Sequence, residues 1–242
     1  MILKILTVAV FAFLYVPIIY LVFSSFYDDG FTFRNYEAIL NDRNVTTAFF
    51  NSLNVAILST LISVILGTLA AYSFKKRGHF LESLFYPPIV IPEITEAVAL
   101  LLFFKMLEFP LGYYSVLTGH IAFNVAFVYV VVYARASSIE KSIEEASYTL
   151  GANEFQTFTK VVLPLLMPGI VAASLIAFTL SWDNFIKTAF TTGPGFNTLP
   201  LLIWSQAARG VVSPSINALA SLMLLISIVL SYLYVRISIR EE

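Results

Sequence analysis

Glu93 and Glu96 stand about one helical turn apart inside a long apolar run, directly after Pro92, and Trp182, Asp183 and Asn184 close another such run. Carboxylates beside aromatic faces attract ammonium-type cations, and a carboxylate in apolar surroundings can also exchange a proton. An ionised acid at the centre of a spanning helix costs about 2.5–3.5 kcal/mol on insertion scales unless water or a partner meets it, so acids in such runs need a reason. Pro87, Pro88 and Pro92 sharpen the first place, because each removes a backbone donor. The run is expected to be a broken span. Irregular backbone at membrane depth is tolerated where protein or a water-filled cavity satisfies it, so the segment reads either as the lining of a solute path or as a kink in a buried helix. Other chemistry is poorly supplied. With no cysteine, no G-x-x-x-x-G-K-S/T loop, no H-E-x-x-H pair and no nucleophile elbow, the chain offers no thiolate, metal, phosphate-binding or hydrolytic site. Of the two histidines, His120 and His79, the latter adjoins Lys75-Lys76-Arg77 and reads as a solvated residue.

The elements that must position these residues are dictated by composition. The 242 residues are 59% hydrophobic and 12% charged, with a mean hydropathy of +0.85, so lipid is the solvent for most of the chain. A spanning helix needs roughly 20 apolar residues, and runs of that length are expected at about Ile5 to Phe26, Phe49 to Phe74, Leu84 to Leu107, Tyr113 to Arg135, Leu163 to Trp182 and Ile216 to Val235. The first is too long for a signal-peptide core and lacks a small-x-small cleavage site, so it reads as a retained helix. The fold expected is all-α: a polytopic membrane protein of about six transmembrane helices, in a single domain over 1–242. Basic residues near helix ends set orientation. With the N-terminus inside, Lys4, Lys75, Lys76, Arg77, Arg135, Lys141, Lys160, Arg236 and Arg240, nine of fourteen, face the cytoplasm, whereas Arg34, Arg43, Lys105, Lys187 and Arg209 fall in outer loops or at the end of the third span. Glu108, Tyr113 and Tyr114 near the outer end of the third and fourth spans read as a funnel or, for the tyrosines, as interfacial belt residues. A net charge of −1 leaves no basis for a nucleic-acid partner.

Between the fourth and fifth spans, at about 136–163, the stretch SSIEKSIEEASYTLGANEFQTFTKVVL is too polar to cross lipid and carries helix punctuation. Ser142 with Glu145 reads as a capping box opening a helix to Leu150. Gly151 fits a left-handed helix end, and Asn153 with Gln156 reads as a second box opening a helix to Lys160. Ile143, Ala146 and Leu150 share a face that either enters a partner's groove or rests on the membrane.

The run from Glu145 to Pro164 resembles the cytoplasmic motif of ABC-importer permeases, E-A-A, three residues, G, nine residues, I-x-L-P. Glu145, Ala146, Ser147, Gly151, Val161, Leu163 and Pro164 hold its positions, with Ser and Val as conservative replacements. FLYVPIIYLVFSSF near the start, LGANEFQTFTKVVLPLLMPGI, and the late TGPGFNTLPL and VSPSINALA stretches further resemble the PotC-type permeases of spermidine/putrescine importers. The resemblance implies a type I ABC importer permease whose loop is the coupling element docking on an ATPase, without enzyme activity or cofactor of its own. ATP and Mg belong to that partner. It also implies an ATP-binding subunit dimer, a second and different permease subunit, an extracytoplasmic substrate-binding protein and a bacterial-type inner membrane location. A polyamine path would use carboxylates spaced along a flexible polycation, and Glu93 matches the family's acid after proline, whereas Glu96 has no such support. Asn184 is a departure, because the family tends to carry two consecutive acids at Asp183 and Asn184. Alternatives from the residues themselves are an ABC permease for another solute, a proton-coupled carrier using Glu93 or Asp183, and a channel, for which no filter sequence is present.

The basic asymmetry and the even number of spans predict both termini inside. Reporter fusions after Arg77 and after Glu242 should score cytoplasmic and one near Asn197 external; an external signal at Glu242 breaks the six-span arrangement.

Overall fold

Residues 2–77, 81–210 and 213–238 are described in the computed structural model, and their regular elements are all helical. His79 and Arg240 lie outside them. Helix α1 (Ile2–Ser25) is followed by short α2 (Arg34–Asn41) and long α3 (Arg43–Arg77). The third apolar run is divided into α4 (Pro87–Val90) and α5 (Glu93–Met106), after which α6 (Tyr113–Ser138), the loop helices α7 (Lys141–Thr149) and α8 (Glu154–Thr157), α9 (Leu163–Trp182), α10 (Ile186–Thr191), α11 (Leu199–Ala207) and α12 (Pro214–Ser238) complete the chain. Among the described residues five helices are long and apolar enough to cross a membrane: Leu3–Ser25, Arg43–Lys75, Tyr113–Ser138, Glu154–Trp182 and Pro214–Arg236. The sixth expected span is the broken one.

The break follows from the prolines. Pro87 and Pro88 occupy the first turn of α4, where a missing N–H is harmless. Ile91, held extended (φ −68°, ψ 136°) by the ring that follows it, ends α4, and Pro92 (φ −53°, ψ 132°) leads into α5. The 14 residues of α5 extend only about 21 Å at 1.5 Å per residue, short of a hydrocarbon core of about 30 Å.

The chain forms two compact units. One comprises residues 1–51 with 197–228. Within it α1 is apolar on every side and exposed along its length, as expected of a helix whose surroundings are lipid or another chain. Its end is fastened by polar contacts: the Ser25 and Tyr36 hydroxyls are 2.7 Å apart, Tyr36 and Ser221 share a hydrogen bond of 2.9 Å, and Asn35 donates to the Ser25 carbonyl.

The second unit comprises residues 52–196 with 229–242. Its core is Ala71 of α3, Val128, Tyr129, Val132 and Ala136 of α6, and Leu166, Ile170, Ala173 and Ala177 of α9. Small residues let these helices approach, which matters in a membrane because lipid is as apolar as leucine and association rests on close packing. A Cβ on Gly67 would lie 2.6 Å from Val128 Cγ1 and 3.0 Å from the Tyr129 backbone nitrogen, and one on Gly169 would lie 2.8 Å from Arg135 Cβ. The Arg135 guanidinium in turn donates to the Leu165 carbonyl at 3.1 Å, tying α6 to α9.

Gly67→Leu should therefore force α3 off α6 at a cost of about 1–3 kcal/mol, read as a lowered thermal midpoint of the detergent-solubilised chain. A midpoint equal to that of the unmodified chain would show that the two helices do not meet there.

Candidate functional site

The proline break places Glu93 and Glu96 in the first turn of α5, where the positive end of the helix dipole favours carboxylates. What meets them is Lys187 of α10. Its Nζ lies 3.0 Å from Glu93 Oε1 and 3.3 Å from Glu96 Oε2, and its side chain has 0% exposure, against 37% for Glu93 and 14% for Glu96. The same nitrogen stands 3.3 Å from the centroid of the Phe123 ring on α6. Two carboxylates and an aromatic face thus enclose one ammonium group, the arrangement in which a desolvated cation is best accommodated. Lys187 was expected in outer-loop water on the strength of sequence alone. It is buried because the chain folds back after α9 and packs α10 against α5 and α6.

That corner is built by Asn184. Its Oδ1 accepts from the Lys187 backbone N–H at 2.9 Å and its Nδ2 donates to Glu93 Oε1 at 2.7 Å. Both ends of the amide are used, so its orientation is determined by its neighbours. An aspartate in its place would set a second acceptor against Glu93. Asn184 therefore supplies a donor where an acid would supply charge. His120 holds the corner from below: its Nδ1 lies 2.7 Å from Ser181 Oγ at the end of α9 and its Nε2 3.1 Å from Thr188 Oγ1 on α10. Ser181 continues to Ser59 at 3.0 Å, and Asn124 donates to the Ala177 carbonyl at 3.1 Å. Each polar group stands on a helix packed in apolar surroundings and finds its partner on a neighbouring helix, as buried groups must.

Of the residues singled out from sequence, Glu93, Glu96 and Asn184 come together. Asp183, adjacent in sequence, is exposed at the end of α9. Trp182 is buried and stacks on Phe178, with ring centroids 6.0 Å apart. Tyr113 bonds Asn54 and packs edge-on against Phe196. Sequence reading missed Lys187, His120 and Phe123. For Lys187 a signal existed: it is a lone cation in FIKTAF, one turn after Asn184.

The loop before α9 agrees with its punctuation in two places of three. Gly151 has φ +87°, the left-handed conformation that favours glycine. Asn153 and Gln156 exchange both capping bonds, at 2.9 and 3.0 Å. The box at Ser142 and Glu145 does not form: the Ser142 hydroxyl donates to Glu140 Oε2 at 3.0 Å instead, and Glu140 precedes α7 without a side-chain cap. Nor does the second helix stop at Lys160. A π turn over Phe158–Val162 carries α8 into α9. Pro164 has no N–H to give the Lys160 carbonyl, and a widened turn there is a common relief.

Ser147, at the third small position of the motif, is buried with its hydroxyl 2.8 Å from Thr157 Oγ1, so it lets α7 close onto α8. Glu144 is also buried, ion-paired to Lys75 Nζ at 3.0 Å, and the same nitrogen donates to the Ile139 carbonyl. Glu145, Ala146 and Gly151 face outward with Ile143, Leu150 and Phe155, leaving an apolar surface held on a firmly anchored base. Val161 and Leu163 are half-buried and Pro164 is exposed, at the junction of the loop with α9.

Residues 63–240 match the family described as binding-protein-dependent transport system inner membrane component. The chain is 37% identical over 233 residues to the spermidine/putrescine transport system permease protein PotC of Escherichia coli strain K12, covering 92% of this chain and 88% of that protein. It is 36% identical to the putrescine transport system permease protein PotI of the same organism, covering 88% of this chain and 82% of the relative. In fold it is similar to a bacterial ABC transporter involved in the import of the acidic polysaccharide alginate, with a TM-score of 0.76 at 17% identity over 97% of this chain and 94% of that one. A similar fold occurs in the MetNI methionine ABC transporter, with a TM-score of 0.65 at 18% identity over 78% of this chain and 92% of that one.

The anchoring of the loop is open to a direct measurement. Lys75→Met removes one cation from the Glu144 carboxylate at a site where both side chains are about nine-tenths buried, a loss of up to about 3 kcal/mol. Amide exchange over residues 141–153 should accelerate in this variant, and Lys75→Arg should restore much of the protection. Unchanged exchange in Lys75→Met would mean that the pair does not hold the loop.

Proposed function

The chain belongs to the family of binding-protein-dependent transport system inner membrane components, and on that footing we propose that it carries polyamines of the spermidine/putrescine class inward across a bacterial-type inner membrane. It is a transport permease subunit of an ATP-driven importer, and not an enzyme. The observation that carries the polyamine reading is the similarity, over nine-tenths of the chain, to permeases of spermidine and putrescine systems. The carboxylates Glu93 and Glu96, with Asp183 exposed beside Asn184, supply the chemistry a flexible polycation needs: negative charge at a place where the backbone is broken and lipid would otherwise exclude it.

In this reading the outward surface of α7 and α8 docks on an ATP-binding subunit dimer, which holds ATP and Mg, with Glu145, Ala146 and Gly151 at the contact and Ser147 closing the loop from within. Val161, Leu163 and Pro164 pass the motion on. The helical path from Glu154 to Trp182 is continuous over 29 residues, about 43 Å at 1.5 Å per residue. The second helix of the docking loop and Asp183 are therefore at the two ends of one helical path, and displacement of the loop is felt at Asp183. A second, different permease subunit completes the passage, an extracytoplasmic binding protein delivers the solute, and both termini are cytoplasmic. A proton-coupled carrier would have no use for a capped loop anchored on a buried ion pair.

Glu93→Gln and Asp183→Asn should each reduce polyamine uptake in vesicles about tenfold or more, equivalent to about 1.4 kcal/mol, while the ATPase still co-purifies. Gly151→Leu is the converse control: it should abolish co-purification without preventing membrane insertion, because a side chain is strained at that φ. Undiminished uptake in both acid variants would remove them from the path.

A further inference from the structure

The cluster around Lys187 has the composition of a receptor for a primary alkylammonium ion. Its nitrogen has three N–H donors, and three groups converge on it: Glu93 Oε1 at 3.0 Å, Glu96 Oε2 at 3.3 Å and the face of Phe123 at 3.3 Å. The aliphatic stem is fully buried, and its backbone is fixed by the Asn184 cap. A polyamine end group is the same chemical object, an ammonium on a run of methylenes. We propose that Lys187 is a built-in occupant of this cage and thereby sets the charge of the amine that the passage accepts.

The proposal rests on the polyamine reading and adds a specificity-determining residue to it. Two acids, Glu93 and Glu96, face one lysine, so the cage presents one uncompensated negative charge to a solute instead of two. Asn184 works in the same direction, since its amide donates to Glu93 where a second acid would have added charge. The combination favours the less charged of two amines. Glu93, whose side chain is 37% exposed, is the member of the cage that an arriving ammonium can still reach, whereas Glu96 is 14% exposed.

The test uses the complete importer, purified with its ATPase and second permease and reconstituted into vesicles, with uptake of putrescine and spermidine measured in competition. Lys187→Met should raise the spermidine-to-putrescine uptake ratio by about fivefold or more, as expected for one added negative charge at an effective dielectric near 20. In parallel, Lys187→Ala leaves a cage short of a propylammonium group. Millimolar n-propylammonium should raise the thermal midpoint of this variant, n-propanol should not, and the unmodified complex should respond to neither. If Lys187→Ala does not assemble, the charge-balanced Lys187→Ala with Glu96→Gln retains Glu93 and Phe123 and should show a smaller propylammonium shift. An unchanged uptake ratio overturns the proposal, as does a propylammonium shift that is absent from both alanine variants or equally present in the unmodified complex. Should the unmodified importer move neither polyamine, the proposed cargo fails on that measurement, and the propylammonium arm decides the cage separately.

Discussion

An ammonium group with no exposed surface needs its charge answered within hydrogen-bond reach, and in the unit that carries the acids this requirement falls on Lys187. The effective penalty of taking an ion out of water is several kcal/mol, and a nearby opposite charge offsets it only when geometry and additional hydrogen bonds are good. Much of the local architecture follows. The prolines free the start of α5 so that two carboxylates can sit in one turn, the Asn184 corner turns α10 back so that the lysine points at them, and Phe123 covers the remaining side. Remove the lysine and two acids confront each other; remove either acid and the cation is left with one carboxylate and the ring face.

The polar ladder beneath the corner has a related logic. Ser59, Ser181, His120, Thr188 and Asn124 link helices that otherwise meet through alanine, glycine and valine. In a medium without water each such bond discourages sliding, because a displaced hydroxyl or ring nitrogen has no solvent to turn to. The imidazole is the piece that spans the corner, gripping the last turn of α9 and the middle of α10 with its two nitrogens.

The parts of this design that were legible in the sequence are those that depend on neighbours along the chain. Apolar runs gave five long helices close to their expected bounds, three prolines gave the broken one, and Gly151 with Asn153 and Gln156 gave the loop its turn and its cap. The departures are equally local. Ser142 lies inside α7, which begins at Lys141, so its hydroxyl donates to the Glu140 carboxylate and does not cap the helix, and Pro164 widened a helix instead of ending it. The pairing of Lys187 was illegible for another reason. Its partners lie 94 and 91 residues away in sequence, and no periodicity connects a lone basic residue after one span to acids at the start of another helix. Pairing across that distance is decided by packing, which a charge count assigns to solvent by default.

The π turn at Phe158–Val162 carries a consequence for phase. An i→i+5 turn takes up one residue more than an α turn, and each residue of an α-helix advances the chain by about 100°. The azimuth at which α7 and α8 meet a partner, viewed down the axis toward Asp183, is thus set by a residue count and not by any side chain. Losing one residue from this turn would let the helix close into α geometry, lacking only the bond that Pro164 cannot give, yet aimed roughly a quarter-turn away. For a rod that has to transmit a directed push, that amounts to a change of gear.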